Sequence, residues 1–325
     1  MKTKKAIGIL SADYHLSHKP PVWRSNEPDW YAAMQRPLDE IRELSDKYKC
    51  PVLCAGDIFD KWNSPPELIN WVIQLLRKTG EPFGPTFYSI PGQHDIPNHN
   101  FDEIKRSAYE TICKTAICDL PCGEGALENI ASQEMTIWPF PFGFKIRPEK
   151  RETKFLKVAL VHNYVWMPGH SYPNAPKEKQ IPLYGKHNKN MVGDKYFGYD
   201  VIIYGDNHKG FQTQIGKTTI FNCGTLMRRK SDEENYRPMV GLLYSDGSVE
   251  PHYLDISKDK HLTAEEAKPR EQVEELDMDE LADELRKLGS SALDFADAVK
   301  QYCQSKGVDK PVQDIILKAM ENKKK

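Results

Sequence analysis

The sequence predicts an α/β fold, a β-sandwich of mixed sheets flanked by helices, with a small helical region at its C-terminal end. Three observations predict it. Five short apolar runs, each the length of a buried strand, occur before residue 209, with helical patterns between the early ones. Two hairpin patterns then follow, which argues against a purely doubly wound parallel sheet. Near Lys258 the composition turns acidic and helix-periodic. The expected division is 1–258 for the α/β domain and 259–325 for the helical region.

The first run, Ala6 to Leu10, leads into Asp13 and His15. Leu16 to Asp29, with Pro20-Pro21, reads as an irregular stretch leaving the end of that strand, and is expected to flank the site. Arg24 within it is a candidate phosphate ligand, or equally a solvated loop arginine. Leu38, Ile41 and Leu44 have helical spacing, so a helix is expected from Pro37 to Tyr48. The second run, Val52 to Ala55, ends in Gly56-Asp57-Ile58-Phe59-Asp60, where a glycine permits the tight exit that presents Asp57. Pro65-Pro66 opens a second helix with Leu68, Ile69, Val72, Leu75 and Leu76 on one face.

Thr86 to Ile90 is the third run and ends at Gly92-Gln93-His94-Asp95; Asn100 and Glu103 form a capping-box pattern for a helix to about Cys113. Met135 to Trp138 is a strand candidate, and 139–143 reads as a loop. Lys157 to Val161 ends at His162, and Val201 to Tyr204 at Gly205-Asp206-Asn207-His208. Between them, 164–198 is a long insertion in which lysines (Lys177, Lys179, Lys186, Lys189, Lys195) lie among Trp166, Tyr172, Tyr184 and Tyr196. That mixture suits a wall that tracks a phosphate backbone and stacks bases, and it is equally what a surface loop contains. Hairpins are expected about Gly216-Lys217 and Asp246-Gly247. Beyond Thr263, three helical faces follow, beginning with Val273, Leu276, Leu281, Leu285 and Leu288, and eight acids without a base between Glu271 and Glu284 disfavour phosphate contact there. A protein partner, or packing on its own domain, is the expected use of these helices.

Composition narrows the function classes. A chain of 325 residues with 39% hydrophobic and 28% charged residues is ordinary for a soluble globular protein. Its net charge of −2 leaves nucleic-acid contact to local patches. Seven cysteines without a Cys-x-x-Cys argue against a disulfide framework and a zinc ribbon. With no signal-peptide pattern and no 18-residue apolar run, a cytoplasmic protein without membrane association is expected.

Each of the five strand patterns ends in Asp, His or an amide. In open α/β sheets such side chains converge at the carboxyl edge, and a His/Asp set there is metal-ligand chemistry. For one histidine a structural role is the better reading; for the set it is not. The order Asp-x-His, Gly-Asp-x-x-Asp, Gly-Gln-His-Asp, His and Gly-Asp-x-His over residues 13 to 208 resembles the calcineurin-like metallophosphoesterases. The Gly-Asp-Ile-Phe-Asp version and the helices after the catalytic domain look most like the SbcD-type DNA repair nucleases. That resemblance implies two divalent metal ions, Mn²⁺ foremost and Mg²⁺ or Fe²⁺ as alternatives. Asp13, His15 and His208 would hold the first, Asp57 would bridge, and Gln93, His162 and Asp206 would complete the second. His94, oriented by Asp95, would protonate the leaving oxygen. It implies DNA as substrate, exo- or endonucleolytic action, an SbcC-like ATPase as partner and room for a homodimer. Gln93 stands where the family has Asn and Asp206 where it has His, which makes the second site harder and more anionic and favours Mn²⁺ or Mg²⁺ over Zn²⁺. A phosphatase or phosphodiesterase on nucleotides or phosphoproteins remains the alternative, and a non-catalytic scaffold a third.

Overall fold

The computed structural model describes residues 4–76, 87–115, 135–147, 149–150, 153–181 and 198–274, together with 303, 310, 311, 313 and 314. Among the described residues, two five-stranded sheets form the core. In spatial order the first is Val249–Tyr253, Met239–Tyr244, Ala6–Ser11, Val52–Cys54 and Phe87–Ser89, and the second Met135–Phe140, Leu156–His162, Val201–Gly205, Thr218–Asn222 and Phe211–Ile215. In the first, β1 (Ala6–Ser11), β2 (Val52–Cys54) and β3 (Phe87–Ser89) run parallel, and β9 (Met239–Tyr244) and β10 (Val249–Tyr253) add an antiparallel hairpin beside β1. In the second, β4 (Met135–Phe140), β5 (Leu156–His162), β6 (Val201–Gly205) and β8 (Thr218–Asn222) are parallel, and β7 (Phe211–Ile215) closes the edge antiparallel to β8. Both hairpins fall where their turn residues place them.

Three apolar clusters follow from the period-two alternation of these strands. Between the sheets, Leu10, Leu53, Ile137, Val158, Leu160, Ile203, Phe221 and Leu243 pack with almost no exposure. On the other side of the first sheet, Ile9, Val52, Cys54 and Phe87 meet α1 (Trp30–Tyr48), α2 (Pro66–Leu76) and α3 (Ala108–Lys114). Outside the second sheet, Ala159, Val161, Ile202 and Ile220 are closed by Val165, Met167, Ile181 and Tyr199, all from connections and none from a helix.

Three local expectations change. Helix α1 starts seven residues before Pro37, because Asp29 accepts the Ala32 N–H at 3.0 Å as an N-cap and Trp30, Ala33 and Met34 extend the buried face. Pro37 is tolerated inside it, on that same buried face. The helix expected from Asn100 to Cys113 is two pieces. A 3-10 segment, Phe101–Arg106, is capped by Asn100, and α3 is capped afresh by Ser107 Oγ. Strand β4 runs on through Pro139 and Phe140, which is possible because among the described residues β4 is an edge strand and Pro139 needs no donor on its open side.

The chain divides into two compact units, one of residues 1–19, 29–228 and 236–258, the other of 20–28, 229–235 and 259–325. The second unit is knitted from three chain segments. The Leu262 N–H donates to the Trp23 carbonyl at 2.8 Å, the Trp23 and His261 rings stack at 4.4 Å, and Ser231 Oγ donates to Glu271 Oε2 at 2.6 Å. Its helix α4 (Ala264–Glu274) begins at a Thr263–Glu266 capping box. The further helical faces expected beyond residue 274 and the 182–197 part of the insertion lie outside the described residues.

Candidate metal centre

Five strand ends, three from the first sheet and two from the second, deliver the site. The connections after β1 and β2 continue to pair beyond the strands: Asp13 N–H reaches the Gly56 carbonyl, His15 N–H that of Asp57, and Leu16 N–H that of Ile58, at 2.8–2.9 Å. Within this ribbon Asp13, His15 and Asp57 take left-handed backbone, φ 52°, 45° and 54°, and Asp206 does so at 83°. Four such residues in one place are costly and mark a site that its surroundings over-determine. Gly56, at φ 101°, and Gly92 are required by space as well: a Cβ on the first would strike the His162 ring, and on the second the Asp57 carboxylate.

Seven predicted ligands come together. Donor atoms of Asp13, His15 and His208 lie within 4.8 Å of one another, as do those of Asp13, Asp57 and His162, and of His15, Asp57 and His94. Asp57 is central. Its Oδ1 accepts the His94 N–H at 2.9 Å; its Oδ2 is buried, accepts no hydrogen bond, and lies 3.4 Å from His162 Nε2 and 3.8 Å from His15 Nε2. His15 Nε2 and His208 Nε2 face each other at 3.0 Å. Gln93 Oε1 faces His162 Nε2 at 3.1 Å while its Nε2 donates to Asp206 Oδ1 at 2.8 Å. The two departures from the family pattern thus touch each other, and Asp206 joins the cluster twice, by its carboxylate through Gln93 and by its N–H, which donates to the Asp13 carboxylate at 3.0 Å.

This donor set fits divalent cations. An uncapped carboxylate oxygen ringed by imidazole nitrogens, and two Nε2 atoms aimed at one point, are arrangements that a shared cation resolves. His162 Nδ1 is bonded to the Ala55 carbonyl at 2.6 Å, which leaves its Nε2 lone pair for a metal. Burial pushes the Asp13 carboxyl up to about 7 against the pull of His162 and His208. For Asp57, burial acts upward too, but His162 and His94 outweigh it and hold the carboxyl below its ordinary value. Burial would lower His162, yet Asp57, Asp13 and Asp206 carry it up to about 10. Without cations, therefore, the cluster keeps protons as its positive charge.

Two predicted roles are corrected. Asp95 does not orient His94. Its buried carboxylate accepts the N–H groups of Ile58 at 3.2 Å, Phe59 at 2.9 Å and Gly92 at 3.0 Å, and so clamps the β2 and β3 exits together. His94 is oriented instead by Asp60, whose backbone carbonyl meets Nδ1 at 2.8 Å. Arg24 is not a phosphate ligand: it is 1% exposed and paired with Glu27 Oε1 at 2.5 Å and Asp259 Oδ1 at 3.0 Å inside the second unit. The 20–28 stretch accordingly belongs to that unit.

Two further residues were not anticipated. Asp60 also sets its carboxylate 3.8 Å from His15 Nδ1. Its signal was present, as the last residue of Gly-Asp-x-x-Asp. Asn207, between Asp206 and His208, donates from Nδ2 to the carbonyls of Val165 and His170, each at 2.8 Å, and ties the insertion to the ligand loop. A lone Asn carried no sequence signal for that.

No curated protein matches this chain. Among solved structures it is similar to a novel archaeal phosphodiesterase, at 12% identity over 76% of this chain and 99% of that one, with a TM-score of 0.36. It is also similar to the protein TT1561 of Thermus thermophilus (8% identity, 77% and 100% covered, TM-score 0.40) and to the sulfate thiohydrolase SoxB of the same organism in complex with glycerol (12%, 81% and 59%, 0.41). These likenesses are too distant to bear on substrate. The model of the calcineurin-like phosphoesterases, however, matches residues 12–210, a span that begins just before Asp13, ends just after His208 and holds every predicted ligand. With more than half of the chain matched and the ligands converging at one edge, this protein belongs to the calcineurin-like phosphoesterase family.

Proposed function

We propose that the chain is a two-metal phosphodiesterase acting as a DNA nuclease, exo- or endonucleolytic, in partnership with an SbcC-like ATPase. The observation that carries the phosphoesterase part is Asp57, a buried carboxylate with one oxygen uncapped between His15 and His162. The DNA part is supported by the Gly-Asp-Ile-Phe-Asp version of the second motif. Asp13, His15, His208 and Asp57 would hold one cation, and Asp57, His162, Gln93 and Asp206 the other. Bound there, the pair would supply Lewis-acid charge for a phosphoryl group and lower the pKa of an attacking water.

The chain's own residues do the rest. His94 donates Nδ1–H to the Asp60 carbonyl, so Nε2 is the nitrogen that holds a proton for the leaving oxygen. Its ring stands edge-on to His15 at 4.7 Å and its N–H is tied to Asp57, which keeps that Nε2 in register with the centre. The test is hydrolysis of linear duplex DNA, single-stranded DNA, a chromogenic phosphodiester and a chromogenic phosphomonoester with Mn²⁺, Mg²⁺ or Zn²⁺. The reading expects Mn²⁺-supported cleavage of DNA and diester. Turnover of the monoester alone would overturn the nuclease assignment.

A further inference from the structure

We propose that Tyr164 and Tyr172 form a stacking platform beside the metal centre for an unpaired nucleobase, so that the site takes the single-stranded part of a DNA substrate. This rests on the phosphodiesterase reading and names the substrate form that goes with it. Tyr164 lies two residues beyond His162. Its hydroxyl accepts the Tyr172 N–H at 3.4 Å, and the two rings sit 4.9 Å apart, tilted by 48°. Among the described residues, Tyr172 and Tyr253 are the large apolar side chains left exposed, at 47% and 49%. The Arg237 guanidinium sits over the Tyr253 ring at 4.8 Å and occupies that face. The Tyr172 ring leans on the tilted ring of Tyr164 and remains about half exposed.

The platform is rigidly tied to the ligands. Asn207 holds the carbonyls of Val165 and His170, Lys209 Nζ donates to the Ser171 carbonyl at 3.0 Å, and Trp166 Nε1 donates to that of Pro176 at 2.8 Å. Two cations flank it for backbone phosphates. Lys209 follows His208 directly, and Lys179 Nζ rests on the side chain of Asn163, the neighbour of His162, at 2.8 Å. A base inside a duplex is stacked on both faces and cannot offer one to a tyrosine; an unpaired base can.

The experiment measures affinity by fluorescence anisotropy for a labelled oligothymidylate of about eight nucleotides and for an abasic strand of equal length and charge, with Ca²⁺ as the only divalent ion. The wild-type chain should prefer the base-bearing strand by about tenfold, Tyr172→Ala should abolish that preference, and Tyr172→Trp should keep it. Equal affinity of the wild-type chain for both strands, or a preference that survives Tyr172→Ala, overturns the proposal. Because binding is read without turnover, absence of hydrolysis would sink the phosphodiesterase reading and still leave this ratio measurable.

Discussion

His94 presents Nε2 to the centre because Asp60 holds its other nitrogen, so His94→Ala should lower turnover by about 10²–10⁴ while metal content stays that of the parent. Elemental analysis beside a diesterase assay checks this, and loss of metal along with activity would make His94 a ligand instead. Asp95→Ala should behave differently. It strips the acceptor from three buried backbone N–H groups, each worth about 1–3 kcal/mol when left unpaired, so thermal stability and metal content should fall together. A variant that unfolds like the parent but turns over slowly would return Asp95 to a catalytic role. The pair shows what a sequence can and cannot disclose. The convergence of Asp13, His15, Asp57, His94, His162 and His208 was legible because each follows an apolar run at a strand end. The partner of the His94 ring was not, since a backbone carbonyl has no residue type to read.

Among the elements, α1 illustrates why boundaries were harder to read than ligands. Pro37 suggests a start, but a cap at Asp29 and three buried residues upstream of it set the true one. Asp29→Ala should cost about 1 kcal/mol of global stability, the usual worth of an N-cap, read as a lowered denaturation midpoint with unchanged slope. No change in the midpoint would mean that packing of Trp30 alone fixes the helix start. The hairpins at Gly216 and Asp246 were legible from turn chemistry. The covering of the second sheet by connection residues such as Val165 and Ile181 was not, because isolated apolar residues in a loop have no period.

For the whole molecule, the buried cluster links folding to pH. Asp13, raised from 3.8 to about 7, keeps a proton that the unfolded chain releases, so its contribution is full below about 4 and lost as pH rises through 7. His162, raised from 6.5 to about 10, contributes fully below 6.5 and loses that contribution as pH rises through 10. Both slopes have the same sign. Chelated protein should therefore melt at progressively lower temperature from pH 5 to pH 9, and saturating Mn²⁺ should flatten the trend because cations replace protons among the ligands. A melting temperature of the chelated protein that climbs with pH would contradict the charge assignment. The change of composition near Lys258 is legible in the sequence. The recruitment of 20–28 and 229–235 to the second unit was not, since it depends on contacts such as Ser231 with Glu271 that link distant parts of the chain.

The central claim is that one carboxylate joins two cations, and metal stoichiometry of Asp57→Ala tests it most directly. After metal loading and gel filtration, the parent should carry about two Mn²⁺ per chain, and the variant less than about one, with no hydrolysis of DNA or of a small diester. Asp57→Ala protein that is folded and still holds the parent's complement of tightly bound metal would contradict the account.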